Sequence, residues 1–212
     1  MPGAYNKHLA FLTPMKQTIN QFKKSINESS FSNEQIAVIW DFYVTKSMAG
    51  SAAQRRKISD YGQSQIPFAK MLNAAVIDDK HYAVLLADKM PLTLKELDFV
   101  VTGSKGVEIE IDIDTPRFAF LMGYSISDNE PPKAKNDCSK AEGLLTHIRN
   151  AFAHGNTYFF PNGNVLLEDK NGSTITAMIL IKQQTLLDWI KIIDCDERYY
   201  RIVKKTNLTN KQ

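Results

Sequence analysis

The sequence predicts a mainly α fold with one β-hairpin inserted near its C-terminal end and a short strand near residues 108–114. Three observations predict it. Two capping boxes, Ser32 with Gln35 and Ser139 with Glu142, each open a run of apolar residues at helical spacing. Two turn sequences, Pro161-Asn-Gly-Asn164 and Lys170-Asn-Gly-Ser173, flank the apolar run at Val165 and precede the one at Thr174. One stretch, Glu108 to Asp114, alternates strictly between isoleucine and carboxylate.

Taken in order, Thr13-Pro14 reads as a helix start, with Met15, Ile19, Phe22 and Ile26 following at helical spacing. The Ser32 box opens a stronger helix through Ile36, Ile39, Trp40, Tyr43 and Val44, closed by Gly50-Ser51. A third helix opens at Pro67 and runs through Met71, Leu72 and Val76. A fourth covers Tyr82, Leu85 and Leu86, and a short fifth starts at Thr93 with Glu96 in the box position. The alternation over 108–114 puts Ile109, Ile111 and Ile113 on one face and four carboxylates on the other, a solvated edge strand without the His or Asn of a cation shell. Residues 127–137 are a polar loop. The Ser139 box then opens a helix through Leu144, Leu145, Ile148, Ala151 and Phe152, with Gly155 as its stop. The hairpin follows, and a last helix covers Gln183 to Ile193. The organisation is a helical N-terminal region over 1–130, a core over 137–195 and a basic tail over 196–212.

Composition excludes several classes. With 212 residues, 43% hydrophobic and 23% charged, the chain is too apolar for a disordered protein. Its longest apolar run, Tyr82 to Ala87, is six residues, against about twenty for a membrane span. The opening residues show no basic segment before an apolar core, so no secretory leader is expected. Two cysteines, Cys138 and Cys195, fit free thiols in the cytoplasm. The net charge of +3 lies wholly in residues 196–212, since the rest of the chain carries 21 basic and 21 acidic groups. That tail places Arg198, Arg201, Lys204 and Lys205 beside Tyr199 and Tyr200, residue types suited to a phosphate backbone and a stacked base.

The chemistry concentrates on the helix after Ser139. At 100° per residue its apolar positions share one direction, while His147, Asn150 and His154 lie together opposite them and Arg149 stands at the edge of that polar face. Arg149-Asn150-Ala-Phe-Ala-His154 matches the Arg-Asn-x-x-x-His signature, which at this chain's composition arises by chance in roughly one such sequence in a hundred. With Gly155-Asn156, the hairpin and the Leu-rich helix behind it, the region over about 137–195 resembles HEPN domains, the α-helical family of prokaryotic toxins, abortive-infection proteins and CRISPR effector ribonucleases. The resemblance implies a metal-independent endoribonuclease, acting in toxin–antitoxin or phage defence, whose site forms at a homodimer interface. Arg149 would hold the scissile phosphate, His154 would transfer the proton and Asn150 would orient the site. It implies no cofactor and no metal; the partners are RNA, a second copy of the chain and an antitoxin or defence protein.

Elementary chemistry agrees with those roles. Cleavage through the RNA's own 2′-hydroxyl needs proton transfer, which histidine performs, and a cation on the phosphate, which arginine supplies as a fixed fork. A histidine at the negative end of a helix suits the acid role. Arg149 and His154 stand about 140° apart on one helix, so two copies about a two-fold axis would bring them together better than one. His147, one heptad before His154, reads as a second acid–base group or an RNA contact, or as a polar neighbour lining a dimer seam. Two competitors remain: a non-catalytic HEPN module for dimerisation or RNA binding, and a metal-dependent nuclease built on Glu168-Asp-Lys170, whose upstream aspartate is missing from the strand at 157–160.

Overall fold

The computed structural model describes residues 16–18, 29–48, 54–85, 93–94, 99–100, 110–122, 139–172 and 174–202. Its elements are β1 (Lys16–Thr18), α1 (Asn33–Trp40), α2 (Phe68–Ala75), β2 (Tyr82–Leu85), β3 (Thr93–Leu94), β4 (Phe99–Val100), β5 (Glu110–Asp112), β6 (Arg117–Leu121), α3 (Lys140–Ala153), β7 (Thr157–Phe159), β8 (Asn164–Asn171), β9 (Thr174–Lys182) and α4 (Gln183–Ile193). The expected mainly α, HEPN-like bundle is overturned. The centre is a five-stranded mixed sheet ordered β2-β6-β9-β8-β7, in which β2 runs parallel to β6 and the other pairs are antiparallel. A second sheet is ordered β1-β5-β4-β3.

The corrections share one cause, tertiary pairing of short apolar runs whose period is ambiguous. The expected fourth helix is β2: Tyr82 to Leu85 pairs in register with Phe118 to Leu121, and the Tyr82 and Phe118 rings meet at 5.6 Å. Thr93–Leu94, expected to open a fifth helix, pairs with Phe99–Val100, and Lys16–Thr18, expected within the first helix, pairs with β5. β5 is an inner strand between β1 and β4, not the edge strand its carboxylates suggested. The inner strand β6, between β2 and β9, shows no alternation because both its faces are covered. Phe118 and Phe120 enter the helix-side core, while Ala119 and Leu121 enter the core on the opposite face. Residues 127–137 and Gly50-Ser51 lie outside the described residues.

The strongest local signals hold. Ser32 and Gln35 form the box that opens α1, which runs on into a wider π-helical turn over Asp41–Thr45. That turn buries Phe42 and Tyr43, and the Tyr43 hydroxyl donates to the Leu186 carbonyl at 2.8 Å, fastening α1 to α4. α2 starts after Pro67 and is fastened to α4 by the Trp189 indole, which donates to the Met71 carbonyl at 2.7 Å. Ile39, Leu144, Ile148, Trp189 and Ile190 fill the core against Phe118, Phe120, Leu167 and Ile179. Beyond α4, both Asp194 oxygens accept backbone N–H groups from Arg198, Tyr199 and Tyr200, folding the chain back so that Tyr200 is buried. Among the described residues no helix is long and apolar enough to cross a membrane.

The capping box of α3 gives a direct test, since it fixes where the helix begins. Ser139 Oγ accepts from the Glu142 N–H at 3.2 Å and the Glu142 carboxylate accepts from the Ser139 N–H at 2.8 Å. Ser139→Ala should cost about 1 kcal/mol, read as a lower urea midpoint with an unchanged slope.

Candidate active site

α3 carries the motif, and its own sequence fixes both ends. It starts at the Ser139 box and its last helical residue is Ala153. His154 caps the helix with its N–H on the Asn150 carbonyl at 2.9 Å. Gly155 at φ +67 reverses the chain into β7; a Cβ there would meet nothing within 4 Å, so the demand for glycine is conformational rather than steric. The apolar face buries Leu144, Leu145, Ile148, Ala151 and Phe152 against the sheet.

One polar side chain is buried with them. His147 is 7% exposed, with Nδ1 2.7 Å from Asp169 Oδ2 and Nε2 2.7 Å from the Leu121 carbonyl. A carboxylate and a carbonyl only accept, so the ring satisfies both only when each nitrogen carries a hydrogen. A ring so enclosed is placed to hold Asp169 rather than to meet RNA. The same Asp169 oxygen accepts from Asn150 Nδ2 at 3.0 Å, and Asn150 Oδ1 accepts from Arg149 Nη1 at 3.0 Å. Because the guanidinium only donates and the carboxylate only accepts, the Asn150 amide has a single workable orientation.

Asp169 is 5% exposed and lies on the helix-facing side of β8, in step with Val165 and Leu167. A bulge follows it: Asp169 pairs with Ala177 and Lys170 with Ile175, which leaves Thr176 as the extra residue. Burial alone would raise the Asp169 carboxyl, but the hydrogen bonds from His147 and Asn150, the charge of His147 and a further bond from Thr176 hold it below the usual carboxylate range.

The two residues expected to do chemistry have free valences. Arg149 is half-buried, its Nε is enclosed without an acceptor, and among the described residues no carboxylate pairs with it. His154 is exposed, and its ring has no hydrogen-bond partner among the described residues. Both sit on the last turns of one helix, with Asn150 between them in sequence.

The other expected contacts are placed differently. Arg198 pairs with Asp196 at 3.2 Å and lies over Gly62, and Arg201 pairs with Glu197 at 3.4 Å. Tyr200 is in the core, its hydroxyl donating to Asp41 and accepting from Arg56, while Tyr199 lies under the Arg56 guanidinium at 3.8 Å. These rings are therefore engaged in the fold rather than free to stack a base. Lys204 and Lys205 lie outside the described residues. Glu168 is 2% exposed, points to the sheet face away from α3 and pairs with Lys170 at 2.5 Å. Among the described residues no three His, Cys, Asp or Glu side chains gather as a metal set. A groove of about 650 Å³ between Phe31, Asn162, Gln183 and Lys191 lies at the opposite end of β8, about 16 Å from Asp169 by strand rise, and holds no motif residue.

Sequence reasoning missed Asp169. The signal was available: the period of β8 puts a carboxylate on the apolar face that an adjoining helix must cover, and that helix carries His147 and Asn150. Comparison with family models, with curated proteins and with solved structures finds no match to this chain.

A carboxyl held low in the folded state stabilises the fold above its unfolded value near 3.9, and that contribution is lost as pH falls through the folded value. Asp169→Asn should therefore flatten the loss of stability below about pH 5, as measured by urea unfolding across the acid range. An unchanged acid slope would show that Asp169 titrates alike in both states.

Proposed function

We propose that this protein is a metal-independent endoribonuclease of the HEPN type, acting on RNA in the cytoplasm in a toxin–antitoxin or phage-defence setting. The observation that carries the reading is Arg149: a half-buried guanidinium, hydrogen-bonded to Asn150 and without a carboxylate partner among the described residues, on the same helix as the exposed imidazole of His154. A guanidinium without a counter-ion is suited to a phosphate, and an exposed imidazole to proton transfer. The support lies in the motif and its local geometry, not in the surrounding architecture, which is an α/β layer rather than a bundle.

The roles follow the chemistry. Arg149 binds the scissile phosphate and neutralises the charge that builds on it. His154 gives a proton to the leaving oxygen or takes one from the attacking 2′-hydroxyl. Asn150 sets the guanidinium. With Arg149 and His154 about 140° apart on the helix, a homodimer pairs Arg149 of one copy with His154 of its partner in one cleft. With Arg198 and Arg201 each paired to a nearby carboxylate, the basic tail's sequence-independent pull on the backbone falls to Lys204 and Lys205.

The decisive assay incubates purified protein with total RNA in EDTA. Cleavage is expected, and His154→Ala should reduce its rate by about 10²–10⁴ with little change in RNA affinity. Arg149→Ala should weaken both, the affinity by about tenfold to a hundredfold, and Arg149→Lys should restore little of it. A fully active His154→Ala protein overturns the assignment, cleavage only with added Mg²⁺ points to the Glu168 and Lys170 pair, and RNA binding without cleavage leaves a binding module. Mixing Arg149→Ala with His154→Ala subunits should regain activity through heterodimers, whereas a fully active monomer in sedimentation would refute the composite site.

A further inference from the structure

The RNA-cleaving reading uses three motif residues and leaves unexplained why a carboxylate from a separate strand is buried beneath them. Asp169 lies 19 residues beyond Asn150 and 22 beyond His147, and outside the Arg-Asn-x-x-x-His pattern. It is nevertheless joined to Arg149 by an unbroken run of hydrogen bonds. The Leu121 carbonyl accepts from His147 Nε2, His147 Nδ1 donates to Asp169, Asp169 accepts from Asn150, and Asn150 accepts from Arg149. Each link has one workable direction, because guanidinium only donates, carboxylate and carbonyl only accept, and the amide does one at each end.

We propose that Asp169 is a positioning residue of this site, fixing the Arg149 guanidinium through the Asn150 amide while His147 and the Thr176 bulge fix Asp169. This rests on the RNA-cleaving reading for its consequence but not for its geometry. A side chain as long as arginine samples many rotamers unless something holds its head, and a phosphate-binding fork misplaced by about 1 Å loses much of its rate effect. Asp169 supplies the hold from the rigid sheet. A direct Asp169–Arg149 pair would neutralise the guanidinium. The amide between them transmits orientation while leaving its charge for the incoming anion.

The test uses full-length protein and two readouts. The first is the ¹⁵N exchange of the Arg149 guanidinium by NMR, which reports hindered rotation without any RNA present. The second is kcat and KM for RNA cleavage, with affinity for a 2′-O-methyl oligonucleotide as the non-cleavable probe. Asp169→Ala should free the guanidinium and lower kcat/KM by about tenfold to a hundredfold. Asp169→Asn keeps an oxygen for the Asn150 amide and should retain most of both. Asn150→Asp combined with Asp169→Asn trades amide and carboxylate. It should keep the guanidinium hindered in the NMR readout and still lose RNA affinity and rate, because the carboxylate now sits directly on Arg149 and neutralises it.

Wild-type guanidinium exchange in Asp169→Ala, or free guanidinium rotation in the traded pair, overturns the proposal. If wild-type protein neither cuts nor binds RNA, the functional reading falls while the NMR readout still decides the relay: freed rotation supports it and hindered rotation overturns it. Should Asp169→Ala not fold, Asn150→Ala cuts the same relay one link later and is read in the same way.

Discussion

A single buried carboxylate sets the terms for the helix that crosses it. Asp169 stands two residues before the end of β8, on a face where its strand neighbours Val165 and Leu167 are fully buried. An ionised group there is costly unless its oxygens are met by donors, and hydrogen bonds to a charge are among the stronger ones a protein makes. His147 and Asn150 meet it from consecutive turns of α3, and Thr176 meets it from the bulge in β9. α3 can slide or rotate on the sheet only by breaking both of its donors from Asp169, so the carboxylate fixes the register of the helix against the sheet. Apolar packing of Leu144, Ile148 and Phe152 supplies most of the attraction but little of that specificity.

The chain closes this arrangement on itself. His154 and Gly155 end α3 and reverse it, and β7 begins immediately, pairing Thr157 with Leu167. That pairing puts Asp169 two residues further along β8, next to the helical turn that has just been left. A slip of one residue in β8 would turn Asp169 to the far face and bring Glu168 under α3 in its place. Glu168 is held on that far face by Lys170 and lies close to Tyr158, whose hydroxyl burial and the Glu168 charge push up to about 12. The two adjacent carboxylates thus face opposite sides of one sheet with a separate partner each, and the pattern has only one register that satisfies both.

What the sequence makes legible divides along the same line. Local signals with a hydrogen-bonding mechanism, the two capping boxes, the Gly155 stop and the Asn-Gly turn at 171–172, appear where the residues place them. Short apolar runs do not, because Tyr82–Leu85 and Arg117–Leu121 are four and five residues long and read as strand only once each has the other to pair with. The composition of the sheet hid it further: strands covered on both faces lose the alternation that marks a strand from sequence. The motif residues were legible because they sit on one helix. Asp169 was missed although the period of β8 puts it on the apolar face, because its part arises from a contact across 19 residues and from a bulge that the sequence does not announce. His147 was read by its position on the helix wheel, which places it with the polar side chains; the end of β6 at Leu121 and Asp169 of β8 enclose it instead.

The charges of the site follow from who neutralises whom. Asp169 could have taken Arg149 as its counter-ion, and at the end of a sheet that would have been the simplest pairing. The Asn150 amide stands between them, and the Asp169 carboxylate is met by the His147 ring. These donors meet the Asp169 charge within the fold, so the guanidinium at its edge, without a carboxylate partner among the described residues, keeps its positive charge in a partly desolvated position. Such a position strengthens its attraction for an anion relative to a fully solvated arginine. A saturated carboxylate inside and a guanidinium outside with no carboxylate partner among the described residues, linked by a neutral amide, separate the contacts that stabilise the fold from the charge left to meet an anion.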